Sequence, residues 1–180
     1  MNTERRYHIK SADDLDRKTL IDLLNSCWMT HDGMWFFHCI QECGIEKANR
    51  INKAAIRSLA PVETNRIKKI LGYKKECFES FEEVKTFFVN AFELFIPGFM
   101  NVTMSFPGNN VLHWEFEPNN CFAYKGIKRI GFIDQYDCGV IYRLECWFKS
   151  LGLQYSVTPK IRKCLMLVDG TCSGDFTFTF

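Results

Sequence analysis

NVTMSFPGNNVLHWEFE, residues 101–117, is where the periodicity of the chain changes. Asn101 to Phe106 and Val111 to Glu117 flank Pro107-Gly108-Asn109-Asn110, so they read as two antiparallel strands joined by a turn. Upstream of this stretch the spacing is helical. Ser11, Asp13 and Asp14 precede apolar residues at Leu20, Leu23, Leu24, Cys27 and Trp28, the pattern of a capped amphipathic helix starting near Asp13. Met34 to Cys43 repeats that pattern after a Thr30-His31-Asp32-Gly33 junction and stops at Gly44, a C-terminal cap. Ile45 to Leu59 forms the next helix, and Pro61 suits the first turn of another short one ending at Gly72. Ser80 and Glu83 supply a capping box for a helix that runs to about Phe95, where Pro97-Gly98 ends it.

Downstream, Asp134 to Leu151 returns to helical spacing, with Val140, Ile141, Leu144, Trp147, Phe148 and Leu151 on one broad face. Leu153 to Thr158 and Cys164 to Val168 are strand-like. Phe176, Phe178 and Phe180 alternate with Thr177 and Thr179, as in a half-buried strand. The predicted class is α+β: a helical N-terminal half packed on an antiparallel sheet of four or five strands with one long crossing helix. We expect a single domain over residues 1–180, with 1–98 mainly helical and 99–180 carrying the sheet, the long helix and a cysteine site.

Composition narrows the function. The chain has 180 residues, 47% hydrophobic and 15% aromatic, ample for one core. Its formal net charge of +2 lacks the excess of an electrostatic nucleic-acid or membrane binder. The longest apolar-rich run, Thr86 to Met100, is interrupted by Asn90, Glu93 and Pro97 and is too short to span a bilayer. The opening MNTERRYHIKSADD has no apolar signal core, so the expected location is cytoplasmic.

Nine cysteines is a high and odd number, which argues against a fully paired disulfide framework. Cys27, Cys39 and Cys43 fall in apolar helical patterns and read as core. Cys121, Cys138, Cys164 and Cys172 need another account. They are either small apolar packing groups or the ligands of a structural zinc. Cys172 lies in the polar stretch Asp169-Gly170-Thr171-Cys172-Ser173-Gly174, and Cys138 follows Asp134-Gln135-Tyr136-Asp137, both at element ends where ligands can converge. Lys160, Arg162 and Lys163, with Lys125, Lys128 and Arg129 near Cys121, offset the negative charge of a four-thiolate site.

Cys138 at the head of a helix, then a strand, then Cys164-x7-Cys172 and a closing Phe-rich strand, resembles the vinyl-reductase-type ligand-binding domain over the last quarter of the chain. That resemblance implies a small hydrophobic or aromatic ligand and a structural zinc. The family's ligand positions match Cys138, Ile161, Cys164 and Cys172. Ile161 stands where the family has a glutamate, and Cys121 is the nearest residue of the right chemistry. Trp28 with His31-Asp32-Gly33-Met34-Trp35-Phe36, Gly44, Arg66-Ile67-Lys68-Lys69 and Gly72 is similar to an uncharacterised prokaryotic family with a WxxHDGxWF segment, grouped near the L-2-amino-thiazoline-4-carboxylate hydrolases.

His31, Trp35 and His38 recur on one helical face with Trp28 nearby, and His113-Trp114 sends one side chain to the sheet interior. With four Trp, six Tyr and seventeen Phe in the chain, these six residues are the candidate pocket wall. The expected function is binding or sensing a small hydrophobic or aromatic molecule, with a structural zinc on Cys121, Cys138, Cys164 and Cys172. The alternative is a hydrolase for a small heterocyclic or amide substrate using His31 and Asp32, although a cap for the second helix is the simpler role for Asp32. The binding reading is favoured over the enzyme. Homodimer formation is left open.

Overall fold

The computed structural model describes residues 11–75 and 77–180. Residues 1–10, on which the cytoplasmic expectation partly rests, lie outside the described residues. Helix α1 is Arg17–Cys43, after a 3-10 turn at Ala12–Asp14. Asp16 caps it by accepting the Thr19 amide at 2.8 Å, so the helix starts later than Asp13. It then runs unbroken through Thr30 to Gly33, where the sequence suggested a junction. One glycine costs only about 1 kcal/mol in a helix interior, too little to split it between two helical flanks. Cys27, expected in the core, is exposed on this helix, whereas Cys39 is buried.

Helix α2, Ile45–Ile70, follows at Gly44, whose φ of +80° turns the chain back. Pro61 lies inside α2 rather than opening a new helix. It sits on the solvent side, where the carbonyl it leaves unpaired can be hydrated. Helix α3, Phe81–Phe95, has the expected Ser80 cap and buries Val84, Phe87, Phe88, Ala91 and Phe92.

The quoted stretch folds as strands β1, Val102–Gly108, and β2, Val111–Phe116. Asn109 and Asn110 connect them at φ of +53° and +60°, the paired left-handed residues of a tight hairpin. Helix α4, Phe122–Arg129, had no reading in the sequence, and helix α5, Gly139–Ser150, is the crossing helix with its first turn trimmed. After β3, Gln154–Thr158, the run read as a strand from Cys164 forms a short helix, α6, Leu165–Val168. Strand β4 then starts at Cys172 and runs to Thr179. The sheet order is β1-β2-β4-β3, all pairs antiparallel, so both edges of β4 are taken. Residues 164–168 lie outside the ladder of this sheet, and a short apolar run without ladder partners closes its hydrogen bonds locally as helix.

One sheet face is polar and the other supplies the core. Leu112, Trp114 and Phe116 of β2 and Cys172, Gly174, Phe176 and Phe178 of β4 point inward, in the alternation expected of an antiparallel sheet with one wet face. Phe148 of α5 contacts Phe88, Tyr155, Phe176 and Phe178 and joins the helices to the sheet. Gly174 has its own steric reason. A Cβ there would lie 2.4 Å from the Trp114 ring and 2.5 Å from the Thr158 carbonyl oxygen. Gly174→Ala is therefore expected to cost roughly 1–3 kcal/mol by overpacking. Urea unfolding checks this, and an unchanged midpoint would contradict the close approach.

Candidate functional site: a thiol pocket behind an apolar cavity

Cys121, Cys138, Cys164 and Cys172 come together around one small cavity of about 20 Å3. Three of them occupy equivalent places in the chain: Cys121, Cys138 and Cys164 are the N-cap residues of α4, α5 and α6. The fourth, Cys172, opens β4. Three helix N-termini with their unpaired amides thus converge on the thiols, a field that favours negative charge on sulfur. Ile161, at the position of the resembled family's glutamate, also lines the cavity.

The approaches to the cysteines are pinned. Buried Asn49 of α2 donates to the Gln135 carbonyl at 2.7 Å and accepts the Asp137 amide at 3.3 Å. Lys53 pairs with Asp137 at 2.9 Å, and the Gly139 amide donates to Tyr136 Oη at 3.0 Å. Cys138 is thereby held from both sides. The Asn119 amide donates to Met166 Sδ at 3.1 Å, tying the segment before Cys121 to α6 after Cys164.

Burial disfavours free thiolates here. Desolvation pushes Cys172 up to about 11, opposed by the Trp114 indole and reinforced by Cys121 and Cys164. Although Cys138 is only half-buried as a residue, its thiol faces inward, and desolvation pushes it up to about 12, with the Ile141 amide opposing. Cys121 is raised by burial too, against the amides of Tyr124 and Ala123. Trp114 Nε1 is the one buried side-chain nitrogen or oxygen among the described residues without a hydrogen-bond partner. It lies near Cys172 without a formed hydrogen bond. An orphaned donor beside clustered thiols suits sulfur that carries negative charge. Among the described residues, however, no group of three or more His, Cys, Asp or Glu side chains is placed to hold a metal ion as it stands.

A second cavity, of about 920 Å3, lies directly in front. It is lined by the middle of α1, by α2, the end of α3, strands β1 and β2, and helices α4 and α5, and it opens to solvent beside the exposed Trp28, Met34 and Phe99. Its wall is mainly aromatic and aliphatic, including Phe36, Phe92, Phe95 and Phe116. Phe116, Ala123, Tyr136, Val140 and Ile141 border both cavities, so the two share a wall one side chain thick. Of the six residues expected to line a pocket, Trp28 and Trp114 do so. His31, Trp35, His38 and His113 are not among the lining residues. Trp35 is exposed on α1, and His113 points to the outer sheet face, where its Nδ1 meets Asp175 Oδ1 at 2.7 Å. Asp32 lines the large cavity, and no hydrogen bond joins it to His31. Desolvation raises its carboxyl, with the charges of Arg143 and His31 opposing.

The polar end of this cavity was not foreseen. Arg143 of α5 lines it, and its guanidinium stands 4.5 Å above the Trp28 ring and 5.7 Å from that of Trp147. Buried Glu63 of α2 lies behind, taking Arg143 Nε at 3.1 Å, Arg143 Nη2, and the Trp147 indole N–H at 2.8 Å. Only helix spacing could have signalled it: Arg143 and Trp147 are four apart, on one face of α5.

Fold and site together define an α+β protein with a large, partly open apolar cavity backed by four cysteines, and no described helix is long and apolar enough to cross a membrane. Residues 11–96 match the model of a family of unknown function, DUF6125. No curated protein and no solved structure matches the chain.

Proposed function

We propose that the protein binds a small apolar or aromatic molecule in the large cavity, and that a zinc ion on Cys121, Cys138, Cys164 and Cys172 secures the wall behind it. The observation that carries this reading is the pair of cavities with a common wall. The front cavity falls in the range of ligand pockets, roughly 300–1,000 Å3, and is walled accordingly. The rear one has room for a single atom or water, and a water there would meet only weak thiol partners.

The donor set fits zinc. Four thiols are the ligands of a closed structural site, and zinc supplies the positive charge that lets buried thiolates form. The reading has each sulfur turn inward about its one side-chain torsion, with Trp114 Nε1–H as an outer donor to Cys172. In the vinyl-reductase-type domain that this chain resembles, a carboxylate completes the set. Cys121 takes that part here. Nine unpaired cysteines fit a reducing compartment, which agrees with a cytoplasmic location. The hydrolase alternative has less to support it, since Asp32 lines the cavity and His31 does not.

Tryptophan emission tests the binding reading. Trp28, Trp114 and Trp147 line the cavity and Trp35 lies outside it, so a Trp35→Phe variant isolates the informative rings. Titration with the neutral dye N-phenyl-naphthylamine is expected to change their emission saturably. Emission unaffected at any dye concentration would sink the reading.

A further inference from the structure

The reading of the large cavity as a binding site leaves the ligand's head group open, and the polar end of the cavity addresses it. The charged side chains lining it are Arg129, Arg143 and Asp32, with Glu63 behind Arg143, so the lining itself carries two guanidiniums and one carboxylate. Of these, Arg143 is fixed in place. Glu63 holds its Nε and Nη2 side, and the ring of Trp28 covers one face of the guanidinium. A guanidinium has five N–H donors arranged as forks. Glu63 engages one on Nε and one on Nη2, which leaves the Nη1 amino group and the outer Nη2 proton unclaimed. That second edge has the geometry that a carboxylate takes in two parallel hydrogen bonds. Asp32 feels the charge of Arg143 but makes no ion pair or hydrogen bond with it.

We infer that the cavity takes an amphipathic acid, an apolar body ending in one carboxylate, with the carboxylate received on the free edge of Arg143. The apolar body lies along the aromatic wall. Asp32 is the like charge that the acid encounters, which limits affinity and favours a single carboxylate over a dianion.

Calorimetric titration of the full chain with two matched series decides this. One series is dodecanoate, dodecanol and dodecylammonium below their micelle concentrations. The other is naphthoate, naphthol and naphthylmethylammonium, which separates alkyl from aromatic bodies. In at least one series the acid is expected to bind roughly tenfold or more tightly than its neutral and cationic counterparts. Arg143→Lys keeps a cation for Glu63 but removes the fork, and is expected to abolish that preference while dye binding persists. Asp32→Asn is expected to tighten acid binding several-fold. If the alcohol or amine matches the acid in both series, or Arg143→Lys leaves the preference intact, the inference fails and the cavity reading stands. If none of the six compounds binds while the dye does, the inference fails and the cavity reading stands; if the dye fails to bind as well, the cavity reading fails and takes the inference with it.

Discussion

Cys138→Ser is expected to remove bound zinc and to lower the thermal unfolding midpoint by roughly 8–16 °C, and a strong chelator should do the same to the native chain. The size follows from linkage. A metal free at about a thousand times its dissociation constant stabilises the folded state by about 4 kcal/mol, and a chain of this length shifts by about 2–4 °C per kcal/mol. Cys138 is the informative position because the Asn49 and Tyr136 hydrogen bonds hold the backbone on either side of it. Its loss therefore reports on the site rather than on a loosened loop. Cys27→Ser, at an exposed thiol far along α1, serves as the control and should change neither zinc content nor midpoint. Metal analysis with calorimetry makes the measurement. A native chain without zinc, whose midpoint ignores chelator, would rule out the staple. Because Phe116, Ala123, Tyr136, Val140 and Ile141 border both cavities, removing zinc should also weaken dye binding in front. A mere surface zinc would have no such effect.

The second large effect concerns the polar end. Arg143→Met is expected to destabilise the fold by roughly 3–5 kcal/mol, because Glu63 would remain buried and charged with only the Trp147 indole as partner. The double change Arg143→Met with Glu63→Gln should recover most of that loss, since a neutral amide in the same place keeps a partner in Trp147 without the unpaired charge. Chemical unfolding of the four members of this cycle gives the coupling. Equal losses in the single and double variants would show that packing of the long Arg143 side chain, and not its charge, holds α2 to α5.

The strand hairpin was legible because its signals are local. Alternating apolar residues and an Asn-Asn turn act within a few residues of one another, and β1, β2 and β3 lie where they were expected, whereas β4 starts earlier, at Cys172, and leaves Phe180 exposed beyond its end. The Ser80 cap was legible for the same reason. Helix breaks were over-read. Gly33 and Pro61 are weak punctuation when both flanks are strongly helical, and both lie inside continuous helices. Helix α4 escaped notice because its eight residues carry only a short apolar pattern. The cysteines were singled out by their polar surroundings, which spacing along the chain does show. At the polar end, spacing puts Arg143 and Trp147 on one face of α5 but does not show their partner, because Glu63 lies on a different helix, 80 residues from Arg143.

The amino-acid sequence by itself determined the α+β class, the helical first half and the inward alternation of the closing strand, since each depends on periodicity between near neighbours. It also marked four cysteines as either packing groups or metal ligands; in the fold Cys121, Cys164 and Cys172 are buried with the core. Only the tertiary structure decided that three helix N-termini and the start of β4 meet at one small cavity, with a larger apolar cavity sharing its wall. That convergence depends on how α4, α5 and α6 are laid against the sheet. The placement of α5 follows from long-range packing of Phe148 on α3 and the sheet and from the Asn49 hydrogen bonds before it, and the Asn119–Met166 hydrogen bond ties the segment before α4 to α6; no local pattern encodes these contacts.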